Sequence, residues 1–138
     1  MDAVLRDTDI FSEILRAQSV TVTNRAASYF QEHRQISLSS ITRCEIVRGL
    51  KFKGSATILA AFETFCKRSR IIPVSDDVLD VAAELWASGR RLGNPHQDAD
   101  LIIAATAIVH QLTLVTGNTT HFEWIPELKI DDWRATRD

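Results

Sequence analysis

An α/β sandwich on a mostly parallel sheet of four to five strands is the fold class this chain predicts, from three observations. Short apolar runs of strand length alternate with longer stretches of helical period. No Pro/Gly/Ser-rich linker, low-complexity tract or internal repeat divides the 138 residues, so residues 1–138 are expected to fold as one domain with a real core. The apolar fraction of 45% and charged fraction of 25% are ordinary for a globular protein.

The first strand is placed at residues 3–6, running into Asp7, with a short helix starting at Thr8-Asp9-Ile10. Residues 23–34 carry Ala26, Tyr29, Phe30 and His33 at one-face helical spacing, and a second strand follows at 36–39. The next helix carries Ile41, Cys44, Ile46, Val47 and Leu50, with Glu45 at the edge of its apolar face. Residues 55–68 repeat the pattern through Ile58, Leu59, Phe62 and Phe65, and a third strand is expected at 71–74. Ser75 is a natural N-cap, Asp76 and Asp77 suit the positive end of the helix dipole, and Val78, Ala82, Leu85 and Trp86 form a buried stripe up to Gly89. Residues 98–110 are apolar nearly all round, which marks a central helix covered on most sides. Strands at 113–116 and, more weakly, at 128–130 complete the set.

The net charge of −2 offers no overall basic field for nucleic acid, so a polyanion partner needs a local basic patch or a metal ion. Cys44 and Cys66 lack metal-ligand spacing and are expected to be reduced core residues. The four histidines share no zinc spacing. No apolar run approaches membrane-spanning length, and Met1-Asp2-Ala3-Val4 lacks the basic end and apolar stretch of a signal peptide, so a cytoplasmic protein is expected.

The acids are the informative residues. Asp7, Glu45 and Asp100 each lie beside strongly apolar sequence, where a carboxylate costs several kcal/mol unless something neutralises it. With no matching buried base expected, three such groups in one fold point to a divalent cation held by oxygen ligands. Each also has an ordinary reading. Asp7 or Asp9 caps the short helix, Glu45 pairs with Arg48 on the helix surface, and Asp98 and Asp100 both suit a helix start. In a parallel sheet the site forms beyond the carboxyl ends of the strands, where Asp7 and the Thr116-Gly117-Asn118 turn emerge. Arg90, Arg91 and His96 lead straight into Asp100 and are candidates for holding a phosphate backbone. His121 flanks the same site and could also contact phosphate, although the ordinary reading of both histidines is as solvated loop residues.

In this order the chain resembles a PIN-domain endoribonuclease of the VapC toxin type over nearly its whole length. The carriers are Asp7-Thr8-Asp9-Ile10 with Ser12-Glu13-Ile14-Leu15-Arg16, Ser39-Ser40-Ile41-Thr42 leading to Glu45-Ile46-Val47-Arg48-Gly49-Leu50, and Asp98-Ala99-Asp100-Leu101-Ile102-Ile103-Ala104-Ala105-Thr106-Ala107. The last is Leu114-Val115-Thr116-Gly117-Asn118-Thr119-Thr120-His121-Phe122, with Ile125-Pro126-Glu127-Leu128 and Asp131-Asp132-Trp133 after it. The resemblance implies a PIN-like three-layer α/β/α sandwich. It further implies Asp7 and Asp100 as ligands of Mg²⁺ or Mn²⁺, Glu45 as the third acid, and Asn118 where many members carry a fourth. The implied substrate is structured RNA, cut to leave 5′-phosphate and 3′-hydroxyl ends. A cognate antitoxin covering the site is implied as well, as is a homodimer through exposed Leu50, Phe52, Ile58 and Phe62. The chain departs from the pattern at Arg6, expected to reach the rim and pair with an acid, at Asp9, at neutral Asn118 and at His121.

Two rivals accompany that reading. A haloacid-dehalogenase-like phosphatase would use Asp7-Thr8-Asp9, but Thr116-Gly117-Asn118 lacks the acid it requires. A catalytically weak PIN-fold module that binds RNA or antitoxin in operon autoregulation is the other, and neutral Asn118 leaves it open.

Overall fold

Five short strands and four α-helices carry the described residues of the computed structural model, which are 3–7, 24, 25, 27–29 and 36–133. The order is β1 (Val4–Arg6), β2 (Ser37–Ser39), α1 (Ser40–Lys53), α2 (Ala56–Lys67), β3 (Arg70–Ile72), α3 (Asp76–Arg91), α4 (Asp98–Val109), β4 (Thr113–Val115), a 3₁₀ turn (Thr119–His121) and β5 (Ile130–Asp131). Asn24, Arg25 and residues 27–29 are also helical. The helix expected after Asp7, the Asp9 cap, His33 and much of the 23–34 helix lie outside the described residues.

The sheet runs β3-β2-β1-β4-β5 with every pairing parallel. From central β1 the chain winds outward through β2 and β3, then crosses to β4 on the other side. The order therefore reverses between β1 and β4, and a crevice opens at their carboxyl ends. Strand periodicity decides what each face buries. Leu5 pairs with Leu114 and joins Val78, Leu101 and Ile103 of α3 and α4 in the main core. Val4 and Val115 face the opposite way and pack with Tyr29 and Trp133. On that second side Leu38 meets Ile46, Phe62 and Cys66 of α1 and α2. Helices on both faces give the three layers expected.

The caps follow from local chemistry. Ser39 Oγ accepts from the Ile41 N–H at 3.2 Å at the start of α1, and Ser75 Oγ accepts from the Val78 N–H at 3.3 Å at the start of α3. Helix α3 ends where Gly93 takes φ +70°, with the Gly93 N–H donating to Arg90 O and the Asn94 N–H to Gly89 O. That pair of bonds is a Schellman turn, and it aims the following loop at the crevice.

Three expectations are corrected. Phe62 is fully buried and belongs to the core rather than to a dimer surface, because its position on α2 faces Leu38. Cys44 is exposed; only Cys66 is a core thiol, its pKa pushed up by burial. Arg6 neither reaches the rim nor meets an acid in a described contact: alternation turns it to the side opposite Leu5, where it is fully buried. Its guanidinium carbon lies 4.9 Å from the Tyr29 ring centroid and 4.6 Å from that of Trp133. Nε, Nη1 and Nη2 have no hydrogen-bond partner among the described residues, so two aromatic faces take the place of a counter-ion. Burial pushes the group from its ordinary value down to about 10, while Tyr29 pulls the other way, and it stays charged at neutral pH. The chain does contain a buried base.

Candidate functional site at the carboxyl ends of β1 and β4

Asp7 continues β1 by one residue, its N–H donating to Val115 O at 2.9 Å. The same alternation that buries Arg6 on one face turns Asp7 to the other, where it is 6% exposed. There the Thr116 hydroxyl donates to Asp7 Oδ2 at 2.9 Å, and the Asn118 N–H donates to Thr116 Oγ1 at 3.0 Å. Thr116 is fully buried and its own N–H donates to Asp131 O at 3.0 Å, so the hydroxyl is fixed from both sides. A carboxylate held this way keeps its orientation.

Asp100 approaches from α4. It lies in the first turn, with 29% of its side chain exposed and Oδ2 3.7 Å from His121 Nδ1. The 3₁₀ turn that carries His121 is closed by its N–H donating to Asn118 O at 3.0 Å. Asp100, Asn118, His121 and His96 line one cavity of about 520 Å³, together with Asn94, Pro95, Gln97 and Thr120. His96 is stacked on Trp124 with centroids 4.8 Å apart and an angle of 10°, and lies edge-on to His121 at 6.2 Å. Gly89 makes room for this stack, since a Cβ there would stand 3.0 Å from Asn94 O and 3.3 Å from Trp124 Cη2.

The structure therefore gathers Asp100, Asn118, His96 and His121 around one cavity and ties Asp7 to it through Thr116. Glu45 does not line that cavity. It lies on α1 with Oε2 3.7 Å from Arg48 Nη2, the surface pair that its spacing allowed. Arg90 packs over the Trp86 ring at 4.7 Å, and neither it nor Arg91 is among the cavity's lining residues. Among the described residues no group of three or more His, Cys, Asp or Glu side chains is close enough to hold a metal ion. The oxygen donors at the crevice are of the hard type, the Asp7 and Asp100 carboxylates, the Thr116 hydroxyl and the Asn118 amide, with the His96 and His121 imidazoles beside them. Such an oxygen set fits Mg²⁺ or Mn²⁺ rather than a softer ion.

Sequence reasoning assigned no role to Thr116, Trp124 or Gly89. Thr116 had a readable signal, because a threonine two residues after core Leu114 must share its face and so meet Asp7. Trp124 and Gly89 had none, since their contact depends on how the 94–97 loop folds back.

The PIN-domain family model matches residues 4–126. The chain is 30% identical over 128 residues to Ribonuclease VapC19 of Mycobacterium tuberculosis, covering 91% of this chain and 96% of that one. It is 31% identical over 100 residues to the tRNA(fMet)-specific endonuclease VapC of Salmonella typhimurium, covering 72% and 76%. The crystal structure of VapBC2 from Rickettsia felis bound to a DNA fragment from their promoter superimposes with a TM-score of 0.84 at 26% identity, covering 95% of this chain and 98% of that one.

Proposed function

This chain belongs to the PIN-domain family, among the VapC ribonucleases, and from that premise we propose that it is the toxin of a toxin–antitoxin pair, a metal-dependent endoribonuclease acting on structured RNA. The observation that supports this best is the Asp7–Thr116–Asn118 chain of hydrogen bonds, which joins a buried carboxylate to the cavity of Asp100 at the reversal point of the sheet. Asp7 and Asp100 would hold Mg²⁺ or Mn²⁺, with Glu45 as a third acid once it leaves Arg48. Asn118 contributes a neutral oxygen, whereas Asp98, two residues before Asp100, lines a different groove beside Trp86. Such an ion supplies an acidified water and offsets charge developing on the phosphoryl oxygens. The chain's own part is positional. Thr116 orients the Asp7 carboxylate by donating to Oδ2. Glu45 accepts a proton from the attacking water or orients it. Arg90, Arg91, His96 and His121 border the path of the substrate.

An antitoxin occluding this crevice and a cytoplasmic location belong to the same proposal, as does a homodimer. For the dimer, Phe52 at 92% exposure and Ile58 at 45% are the apolar groups at hand, with Leu50 partly buried beside them. Among the described residues no helix is long and apolar enough to cross a membrane. A second reading, a catalytically weak module that binds RNA or antitoxin, is favoured by the Glu45–Arg48 pair. Mapping RNA 5′ ends after induced expression separates the two. New ends that appear with the wild type and vanish with Asp100→Ala support the enzyme; bound RNA with no new ends at any Mg²⁺ or Mn²⁺ level supports the module.

A further inference from the structure

Resting on the RNA-cleaving reading above, we infer that the cavity beside Asp100 is a nucleobase subsite, in which the base of a nucleotide flanking the cut phosphate stacks against His121 and is read by the amides of Asn94 and Gln97. Its volume of about 520 Å³ falls within the range of small-molecule sites and suits one nucleoside. Its chemistry argues for a base rather than a phosphate. The lining holds two imidazoles, three amides (Asn94, Gln97 and Asn118) and the Asp100 carboxylate, with no lysine or arginine. A phosphate group seeks guanidinium or ammonium donors and is repelled by a carboxylate. A base seeks a flat π face and neutral donors and acceptors on its edge, which is what this wall presents.

The wall is also built to stay in place. His96 gives one face to Trp124, and the Trp124 indole N–H donates to His121 O at 2.8 Å, so both histidines are braced by one tryptophan. His121 keeps 55% of its side chain exposed, a ring free to stack. Gln97 stands at the start of α4 without using its side chain as a cap, which leaves its amide for the cavity. His96 Nε2 is buried with no hydrogen-bond partner among the described residues, a cost that a phenylalanine would avoid while keeping the stack. Because Asp100 and Asn118 belong both to this cavity and to the carboxylate corner, a base seated here lies next to the phosphate being cut.

The test is a titration of the full chain with each of the four ribonucleoside 5′-monophosphates and, separately, with inorganic phosphate, followed by the Trp124 indole N–H and histidine ring resonances. Saturable shifts are expected with at least one nucleotide and none with phosphate. His121→Ala should weaken binding about tenfold, and His121→Phe, which keeps the π face, should stay within about threefold of wild type. Equal shifts from phosphate alone, nucleotides that leave these signals unmoved, or His121→Ala binding as wild type would each overturn the inference. A protein that binds nucleotides here yet cuts no RNA breaks the nuclease reading and spares the subsite; one that cuts RNA with these resonances unmoved does the reverse.

Discussion

Arg6 and Asp7 are neighbours in the chain, both ionic and both buried, and the fold treats them in opposite ways. Strand alternation sends them to opposite faces of one sheet. Arg6 enters a closed packet, with Tyr29 and Trp133 against its guanidinium and no described hydrogen-bond partner. Asp7 emerges at the crevice between β1 and β4, held by the Thr116 hydroxyl, which in turn accepts from the Asn118 N–H. The cation is sealed; the anion is mounted. A charge that fills space between rings serves packing, whereas one oriented by a hydroxyl at the open end of a parallel sheet is placed for chemistry.

Substitutions at these positions test the contrast. The largest effect belongs to Asp7→Asn, which keeps the shape and the Thr116 bond but removes the charge. RNA cleavage should fall on the order of 10³-fold while the urea midpoint stays level or rises, since a buried charge has gone. A cleavage rate unchanged by this variant would remove the distinction altogether. Next is Arg6→Ala, which leaves a hollow between two rings and should cost about 3 kcal/mol in urea unfolding, with cleavage per folded molecule within a few-fold of wild type. Thr116→Val comes third. It leaves the Asn118 N–H and one Asp7 oxygen without their partner, so cleavage should drop about 10–100-fold and stability by about 1–3 kcal/mol.

The last variant, whose effect on cleavage is smallest, is the most discriminating. Arg6→Met keeps the volume and discards the charge, so at neutral pH its stability should equal wild type or exceed it by about 1–4 kcal/mol. The folded-state value of Arg6 lies near 10, below its ordinary value. Between those values the folded chain has released a proton that the unfolded chain still holds, so wild-type stability rises relative to the Met variant as pH climbs. Paired urea titrations at about pH 9 and about pH 11 should show the gap narrowing. A gap that widens would mean that the aromatic packet favours the cation more than burial penalises it.

The fold was readable because its signals are local. Alternating strand and helix periods, the Ser75 cap and the all-apolar 98–110 stretch each needed only nearby residues, and β3 and β5 were misplaced by only a residue or two. Asp7 and Asn118 were readable for a related reason, as strand-end residues in a parallel sheet must emerge at one edge. What was not readable depends on which way a side chain turns. Arg6 looked like a rim residue because its aromatic partners, Tyr29 and Trp133, lie 23 and 127 positions away in the sequence. Phe62 shared its spacing with exposed Ile58, and only the position of Leu38 decides between them. The tie between Glu45 and Arg48 was foreseen as the ordinary alternative, and it is the contact the fold displays.

The bond between Thr116 and Asp7 spans 109 residues of sequence. A ribosome must therefore release most of this polypeptide before β4 can slide in beside β1 and complete the corner. Fragments that stop short of residue 116 lack the hydroxyl that orients Asp7, so the corner is completed only late in synthesis.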